Sequence, residues 1–374
     1  MINGHGGNIS EIARMINCPA SDIIDMSSNI NPLGPPPGLL DFITDNLGII
    51  TRLPEVDARS TAEQYGHFIG ADPGRLLAGN GTTQFIYALP RVLQSRQALI
   101  VGPTYADYAD ACRLQGVPCQ FHIADEPNEF VTDLDEIQKK LPAVDTVFLC
   151  NPNNPTGALI PRDALQRLCR RNPRKTFIID ESYLDFVPDA ETRTMVHSGL
   201  DNVFVLLSLS KLFKIPGLRI GFIFAPKDGI EKFRAHLLPW SVNSLAQLAV
   251  EYVVREQKMI ETFIDQTRSY ITGQREQFHQ TLGNIDCYRL FKGWTPFILV
   301  KLKQGLSGDL VWQGLVRDKI LIRRCANFKG LSDRFIRISL KTNENNRRLL
   351  SSLMALVRTA ELEIGTRHTV RMAG

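Results

Sequence analysis

The chain opens with polar, turn-rich stretches and then falls into a series of short apolar runs. Residues 98–101, 146–150, 176–179 and 203–207 are such runs and read as buried strands, with 222–225 as a returning strand. Beyond residue 242 the pattern changes. Apolar positions recur at helical spacing over 244–282, in more than one piece. Residues 295–302 and 320–327 read as further strands. Residues 335–340 alternate apolar and polar, with Arg337 on one face, and 343–360 form an amphipathic closing helix. At the start, a short helical pattern over 9–16 precedes a turn over 27–34 and the stiff connector Pro35-Pro36-Pro37. The predicted fold class is α/β. A large domain over 38–242 is built on a mostly parallel sheet, and a smaller α+β domain combines 1–37 with 243–374.

Composition narrows the partners. A chain of 374 residues exceeds one ordinary core, so two subdomains are expected. Hydrophobic content of 44% and charged content of 22% are those of a soluble globular protein. The 43 basic residues are scattered and the net charge is only +4, which gives nucleic-acid binding no support. No apolar run approaches the ~18 residues that span a bilayer, and residues 1–8 lack the pattern of a signal peptide. The seven cysteines include no Cys-x-x-Cys and fit no zinc spacing. Reduced thiols, no metal and a cytoplasmic location are expected.

The chemistry-bearing residues follow the apolar runs. Ser208-Leu209-Ser210-Lys211 comes directly after 203–207, and Gly217-Leu218-Arg219-Ile220-Gly221 follows it. A lysine at a buried strand end is desolvated, which lowers its pKa and frees the amine to attack a carbonyl. Ser208, Lys211 and Arg219 together suit an aldehyde that carries a phosphate. Lys214 is the rival amine, without that spacing. Gly79-Asn80-Gly81-Thr82-Thr83 opens a helical pattern and so forms a phosphate cradle. Tyr105 lies just past a strand end, where an aromatic can cover a flat ring. Tyr108 reads as a helix-face residue. The run 146–150 enters Asn151-Pro152-Asn153-Asn154-Pro155-Thr156-Gly157, and 176–179 ends in Asp180-Glu181-Ser182-Tyr183. An acid at a strand's carboxyl end sits where open α/β sheets bind ligands.

Taken in this order, these segments resemble the pyridoxal-phosphate (PLP) enzymes of the aspartate-aminotransferase fold. The resemblance implies that Lys211 carries the cofactor aldehyde and that Ser208, Ser210, Arg219, Gly81, Thr82 and Thr83 surround its phosphate. It also implies that Tyr105 stacks on the ring, that Asn154 and Tyr183 bond the ring hydroxyl, and that Asp180 faces the ring nitrogen. Lys211, Asp180 and Tyr183 are then the catalytic residues. If the Cα–H bond of the substrate breaks, transamination follows; if Cα–COO⁻ breaks, carbon dioxide leaves. Lys211 moves the proton in both.

Within this fold, His5-Gly6-Gly7-Asn8-Ile9, Asn29-Ile30-Asn31-Pro32, Pro239-Trp240-Ser241-Val242-Asn243 and Ile320-Leu321-Ile322-Arg323 are similar to the threonine-phosphate decarboxylases of cobalamin biosynthesis. The expected function is that of a lyase converting L-threonine O-3-phosphate, or L-serine O-phosphate, to the amino-alcohol phosphate. The alternative is a histidinol-phosphate aminotransferase using 2-oxoglutarate and glutamate. Both take a small phosphorylated amine or amino acid. Arg323 is implied as the phosphate contact, with Arg324 as an alternative. Arg337 is implied for the carboxylate or phosphate, and His5, Asn29 and Asn327 for the same pocket. A homodimer is implied as well. Two positions depart from the pattern. Leu53 replaces a tyrosine that reaches the partner's cofactor phosphate, and Tyr183 stands where decarboxylases carry phenylalanine. A third reading, a PLP-sensing regulator, lacks a DNA-binding module in the first 40 or so residues.

Overall fold

The computed structural model describes residues 6–303 and 305–372. In chain order, β1 (Ile24–Asp25) is followed by β2 (Leu76–Gly79), β3 (Ala98–Gly102), β4 (Cys119–Ile123), β5 (Thr146–Cys150), β6 (Thr176–Asp180), β7 (Val203–Leu207) and β8 (Gly221–Phe224). All but β1 join one seven-stranded sheet in the order β2-β8-β7-β6-β5-β3-β4. From β4 to β7 every neighbour is parallel. β8 runs antiparallel to both β2 and β7.

Both faces of this sheet are covered, which explains the unbroken apolar runs. Side chains alternate between two cores. Val147, Leu149, Phe177 and Ile179 enter one, while Phe148 and Ile178 enter the other. The register aligns the carboxyl ends of the central strands, with Cys150 opposite Asp180 and Asp180 opposite Leu206. The exits of β5, β6 and β7 therefore open at one edge, the position at which open α/β sheets hold ligands.

The C-terminal third adds β9 (Tyr288–Leu290), β10 (Phe297–Leu302), β11 (Ile320–Leu321), β12 (Arg323–Arg324) and β13 (Phe335–Ser339). Four of them form an antiparallel sheet in the order β12-β13-β10-β9. β1 pairs in parallel with β11, so the start of the chain is attached to this region. The helical stretch after residue 243 is two helices, Ser244–Arg255 and Gln257–Leu282.

Two expectations need adjustment. Residues 320–327 are not one strand, because the chain changes sheet at Ile322: β11 pairs with β1 and β12 with β13. β4, like β1, β2 and β9, was not among the strands expected from the sequence; its residues are mostly half-buried at the sheet edge and mix polar with apolar. No helix among the described residues is long and apolar enough to cross a membrane.

Candidate active site

The helix Gly81–Val92 begins where β2 ends. Asn80 makes no side-chain cap there, so the first N–H groups are not satisfied by a capping side chain. Gly81 has φ of +72°, and a Cβ on it would lie 2.6 Å from Nη2 of Arg219. Across β2 and β8, Gly79 pairs with Gly221, where a Cβ would lie 2.7 Å from the Thr82 nitrogen. Both glycines keep a guanidinium and a helix N-terminus close together. This arrangement concentrates positive charge and N–H donors at one point, as a phosphate requires.

A cavity of about 100 Å³ lies against this cradle, lined by Gly81, Thr82, Thr83, Tyr105, Asn154, Asp180, Tyr183, Ser208, Ser210, Lys211 and Arg219. Every residue that the resemblance implied for the cofactor is thus brought together. Ser210 donates to the Ile220 carbonyl at 3.2 Å, so its hydroxyl proton is committed to the backbone. Lys211 stands on the short helix Leu209–Leu212 that follows β7. Burial, with repulsion from Arg219 and Arg337, lowers its amine to about 8, although Asp180 pulls the other way. Lys214 is exposed and lines neither this cavity nor the larger one that adjoins it.

The same cavity contains residues that sequence reasoning did not assign to it. Tyr108 lines it together with Cys150 and Ser182. Although it belongs to the helix Asp107–Leu114, Tyr108 is fully buried and stacks on Phe148 at 5.5 Å. Its hydroxyl donates to Oδ2 of Asp180 at 2.7 Å, and the Ser182 nitrogen donates to Oδ1 at 3.0 Å. The available signal was the three-residue spacing from Tyr105, which puts both rings on one side of the helix start.

A second cavity of about 470 Å³ shares Tyr105, Asn154, Tyr183 and Lys211 with the first. It is also lined by Asn29, Arg323, Asn327 and Arg337, the residues implied for the substrate. His5 lies outside the described residues. Arg337 is buried on β13 and donates through Nη1 to Oδ1 of Asn154 and through Nη2 to the Ser27 carbonyl at 2.9 Å. Its Nε has no hydrogen-bond partner among the described residues, and burial lowers its pKa. Because Arg337 takes the oxygen of Asn154, the amide nitrogen of Asn154 is left as the donor for a ligand. Arg323 is the direct register partner of Arg337 across β12 and β13. Its guanidinium donates to Oδ1 of Asn327 at 2.7 Å and lies 5.1 Å from the centre of the Phe328 ring. Arg324 points elsewhere, to Asp309 and over Trp312.

One turn ties these parts together. Asn29 donates to the Tyr183 hydroxyl at 3.2 Å and accepts from Ser339 at 2.7 Å. The Asn31 nitrogen donates to the Lys211 carbonyl at 2.9 Å. Asp25 accepts from the Ser27 nitrogen at 2.8 Å and the Ser27 hydroxyl at 2.6 Å, and it also bonds Ser28. Burial pushes the Asp25 carboxyl up, but these serines and the Lys341 ammonium outweigh it and hold it below its usual range. Asp-x-Ser-Ser is a recognisable side-chain turn signal, though it says nothing of the cavity it borders.

The donor set fits pyridoxal phosphate: a cradle that a Cβ would fill, a carboxylate held as an acceptor, a buried amine of lowered basicity and an aromatic cover. Comparison with known proteins agrees. The family profile described as aminotransferase class I and II matches residues 21–353. A threonine-phosphate decarboxylase of Salmonella typhimurium is 31% identical over 94% of this chain and 96% of its own. A bifunctional adenosylcobalamin biosynthesis protein of Leptospira interrogans is 30% identical over 93% of this chain, which spans 40% of that protein's length. The crystal structure of a histidinol-phosphate aminotransferase from Clostridium acetobutylicum superposes with a TM-score of 0.83 at 29% identity. It covers 90% of this chain and 100% of that one.

Proposed function

We infer the reaction from one premise: the chain belongs to the aminotransferase class I and II family, whose members use pyridoxal phosphate. We propose that it is a lyase that decarboxylates L-threonine O-3-phosphate, or L-serine O-phosphate, to the amino-alcohol phosphate in cobalamin biosynthesis.

One observation carries this reading. Arg323 and Arg337, register partners on β12 and β13, line a single cavity with Lys211. Such a cavity suits a small molecule with two anionic groups, a carboxylate and a phosphate, each gripped by a guanidinium. The similarity to the Salmonella threonine-phosphate decarboxylase supports it.

When bound, the cofactor supplies a cationic ring that draws off the electron pair of the bond broken at Cα. From the end of β6, Asp180 would set the ring's charge. A carboxylate ~4 Å from a cation contributes about 4 kcal/mol at an effective dielectric of 20, or about three pKa units. Ser208, Arg219 and the N–H groups of Gly81, Thr82 and Thr83 would hold the phosphate. Tyr105 would cover the ring, and Asn154 and Tyr183 would bond its hydroxyl. Lys211, with its amine at about 8, both releases and accepts a proton near neutrality, so its ammonium form would deliver to Cα the proton that takes the place of the departed carboxylate.

A second reading is favoured by Tyr183, the residue type associated with the aminotransferases, and by the Clostridium structure. Incubation of the cofactor-loaded protein with threonine phosphate and no keto acid separates the two. Release of carbon dioxide and the aminopropanol phosphate supports decarboxylation. Strict dependence on 2-oxoglutarate, with histidinol phosphate consumed, would replace it with transamination.

Pairing of two copies is part of the proposal. Leu47, Ile50, Leu53 and Val56 are exposed in one stretch, and the exposed Trp240 donates from its backbone to the Val56 carbonyl. Sedimentation at micromolar concentration tests it, with a monomer as the contrary result.

A further inference from the structure

Ser27 is bonded on three sides, and the three partners belong to different parts of the molecule. Its hydroxyl donates to Asp25 at 2.6 Å and accepts from the Gly7 nitrogen at 2.8 Å. Its carbonyl accepts from Nη2 of Arg337 at 2.9 Å. Gly6 sits against that same carbonyl, and a Cβ on Gly6 would lie 2.8 Å from the oxygen. Gly6, Gly7, Asp25, Ser27 and Arg337 all line the 470 Å³ cavity.

We propose that Ser27, held by Asp25, is a latch that seats the Gly6-Gly7 arm over the substrate cavity and sets the Arg337 guanidinium in register with it. The proposal rests on the substrate reading above, because Arg337 is taken to grip a substrate anion. Ser27 and Asp25 are positioning residues and touch no reacting atom. Two features favour a latch over plain structural packing. The helix Ile9–Met15 is already docked by Ile12 and Ala13 against Ile23, Val316 and Leu321, so it needs no latch of its own. The glycine at residue 6 is demanded by the one carbonyl that also holds Arg337, so arm and guanidinium cannot shift independently. Raising the arm frees that oxygen's surroundings, and moving the oxygen releases one of the two terminal bonds of Arg337.

The latch makes a distinct pattern of consequences. Ser27→Ala removes the hydroxyl and keeps the carbonyl. Gly6→Ala keeps the hydroxyl and crowds the carbonyl. Each is expected to raise KM for the phosphorylated amino acid about tenfold, with kcat changed by less than about threefold and cofactor affinity unchanged. The double variant is expected to be no worse than either single one, because both act on one element. Amide hydrogen exchange in the substrate-free holoenzyme gives a readout independent of the reaction. Residues 6–8 should exchange about tenfold faster in Ser27→Ala, with the helix Ile9–Met15 unaltered.

Unchanged exchange at residues 6–8 in Ser27→Ala would overturn the latch, whatever reaction the enzyme proves to catalyse. Faster exchange throughout Ile9–Met15 would also overturn it, since packing of the helix would then have been lost. So would KM effects that multiply in the double variant. If the exchange result holds while threonine phosphate is not consumed, the substrate reading fails and the latch stands.

Discussion

The Tyr108 hydroxyl donates to the Asp180 carboxylate at 2.7 Å, and both groups are buried at the carboxyl end of β6. With the Ser182 nitrogen on its other oxygen, Asp180 is fixed in orientation before any ligand arrives. A hydrogen bond to a charged group is worth about 1.5–3 kcal/mol. Tyr108→Phe is therefore expected to lower stability by about that amount in denaturant titration and to reduce kcat/KM about tenfold. Asp180→Asn removes the charge itself, and the ~4 kcal/mol at stake predicts a loss of about a thousandfold. Equal losses in the two variants would contradict the division of roles.

Arg337 and Arg323 are expected to fail differently. Arg337 is buried and also holds Asn154 and the Ser27 carbonyl, so truncation strands several groups. Arg337→Ala should lose about 2–5 kcal/mol of transition-state binding, with kcat and KM both affected. Arg323 is partly exposed and, among the described residues, donates to Asn327 and to the Arg324 carbonyl and lies over Phe328. Arg323→Ala should raise KM about 10- to 100-fold with kcat largely preserved, as loss of one charge-assisted contact predicts. Steady-state kinetics on the two variants distinguishes these outcomes.

The pH dependence of cofactor uptake should report Lys211. Its amine is lowered from 10.5 to about 8, chiefly by burial, with Arg219 and Arg337 adding to it. Only the neutral amine attacks an aldehyde, so the rate of uptake by the cofactor-free protein should rise through pH about 8 and then level off. The linked stability has the same sense. Between about 8 and 10.5 the unfolded chain binds a proton at this lysine that the folded chain does not, so stability rises with pH across that window. Stopped-flow absorbance and pH-dependent melting measure the two effects. Lys211→Ala should remove both.

Glu181 gives the opposite sign. It is buried beside Asp180, accepts from Thr194 and the Met195 nitrogen, and is raised from 4.5 to about 8, with burial the main cause. The folded state therefore holds a proton that the unfolded state has lost, and this contribution disappears as pH rises from about 4.5 through 8. Glu181→Gln keeps a shape that can bond both partners and removes the titration. The fall in Tm toward alkaline pH should become shallower in this variant, and an unchanged slope would contradict the assignment.

What was legible in the chain depended on whether a residue's partners lie close in sequence. Asp180, Asn154 and Lys211 were readable because each follows an unbroken apolar run that announces a buried strand and its exit. Their ordered spacing then matched a known cofactor site. Tyr108 was misread because on its own helix it has an ordinary inward position, and the acid that gives it meaning is 72 residues away. Ser27 looked like the start of a turn because its partner Arg337 is 310 residues away, and Asp25 was not singled out at all. The split of residues 320–327 between two sheets was invisible for a related reason. Only the pairing partners, β1 on one side and β13 on the other, decide where the chain crosses over.

The pairing of Arg323 with Arg337 has a consequence for how such a site can be retuned. Direct opposition on neighbouring antiparallel strands places the two Cα atoms about 4.5–5.5 Å apart, an interval fixed by backbone hydrogen bonding. Side-chain replacement cannot stretch that interval without slipping a strand by two residues, and a slip would misplace the whole inward face of β13. Selection for longer or shorter molecules would act instead on the loops that line the same cavity, at Ser28, Ile30 and Ala106, where a change costs the ladder little. The strand pair behaves as a fixed gauge, and the lining loops are the adjustable jaw.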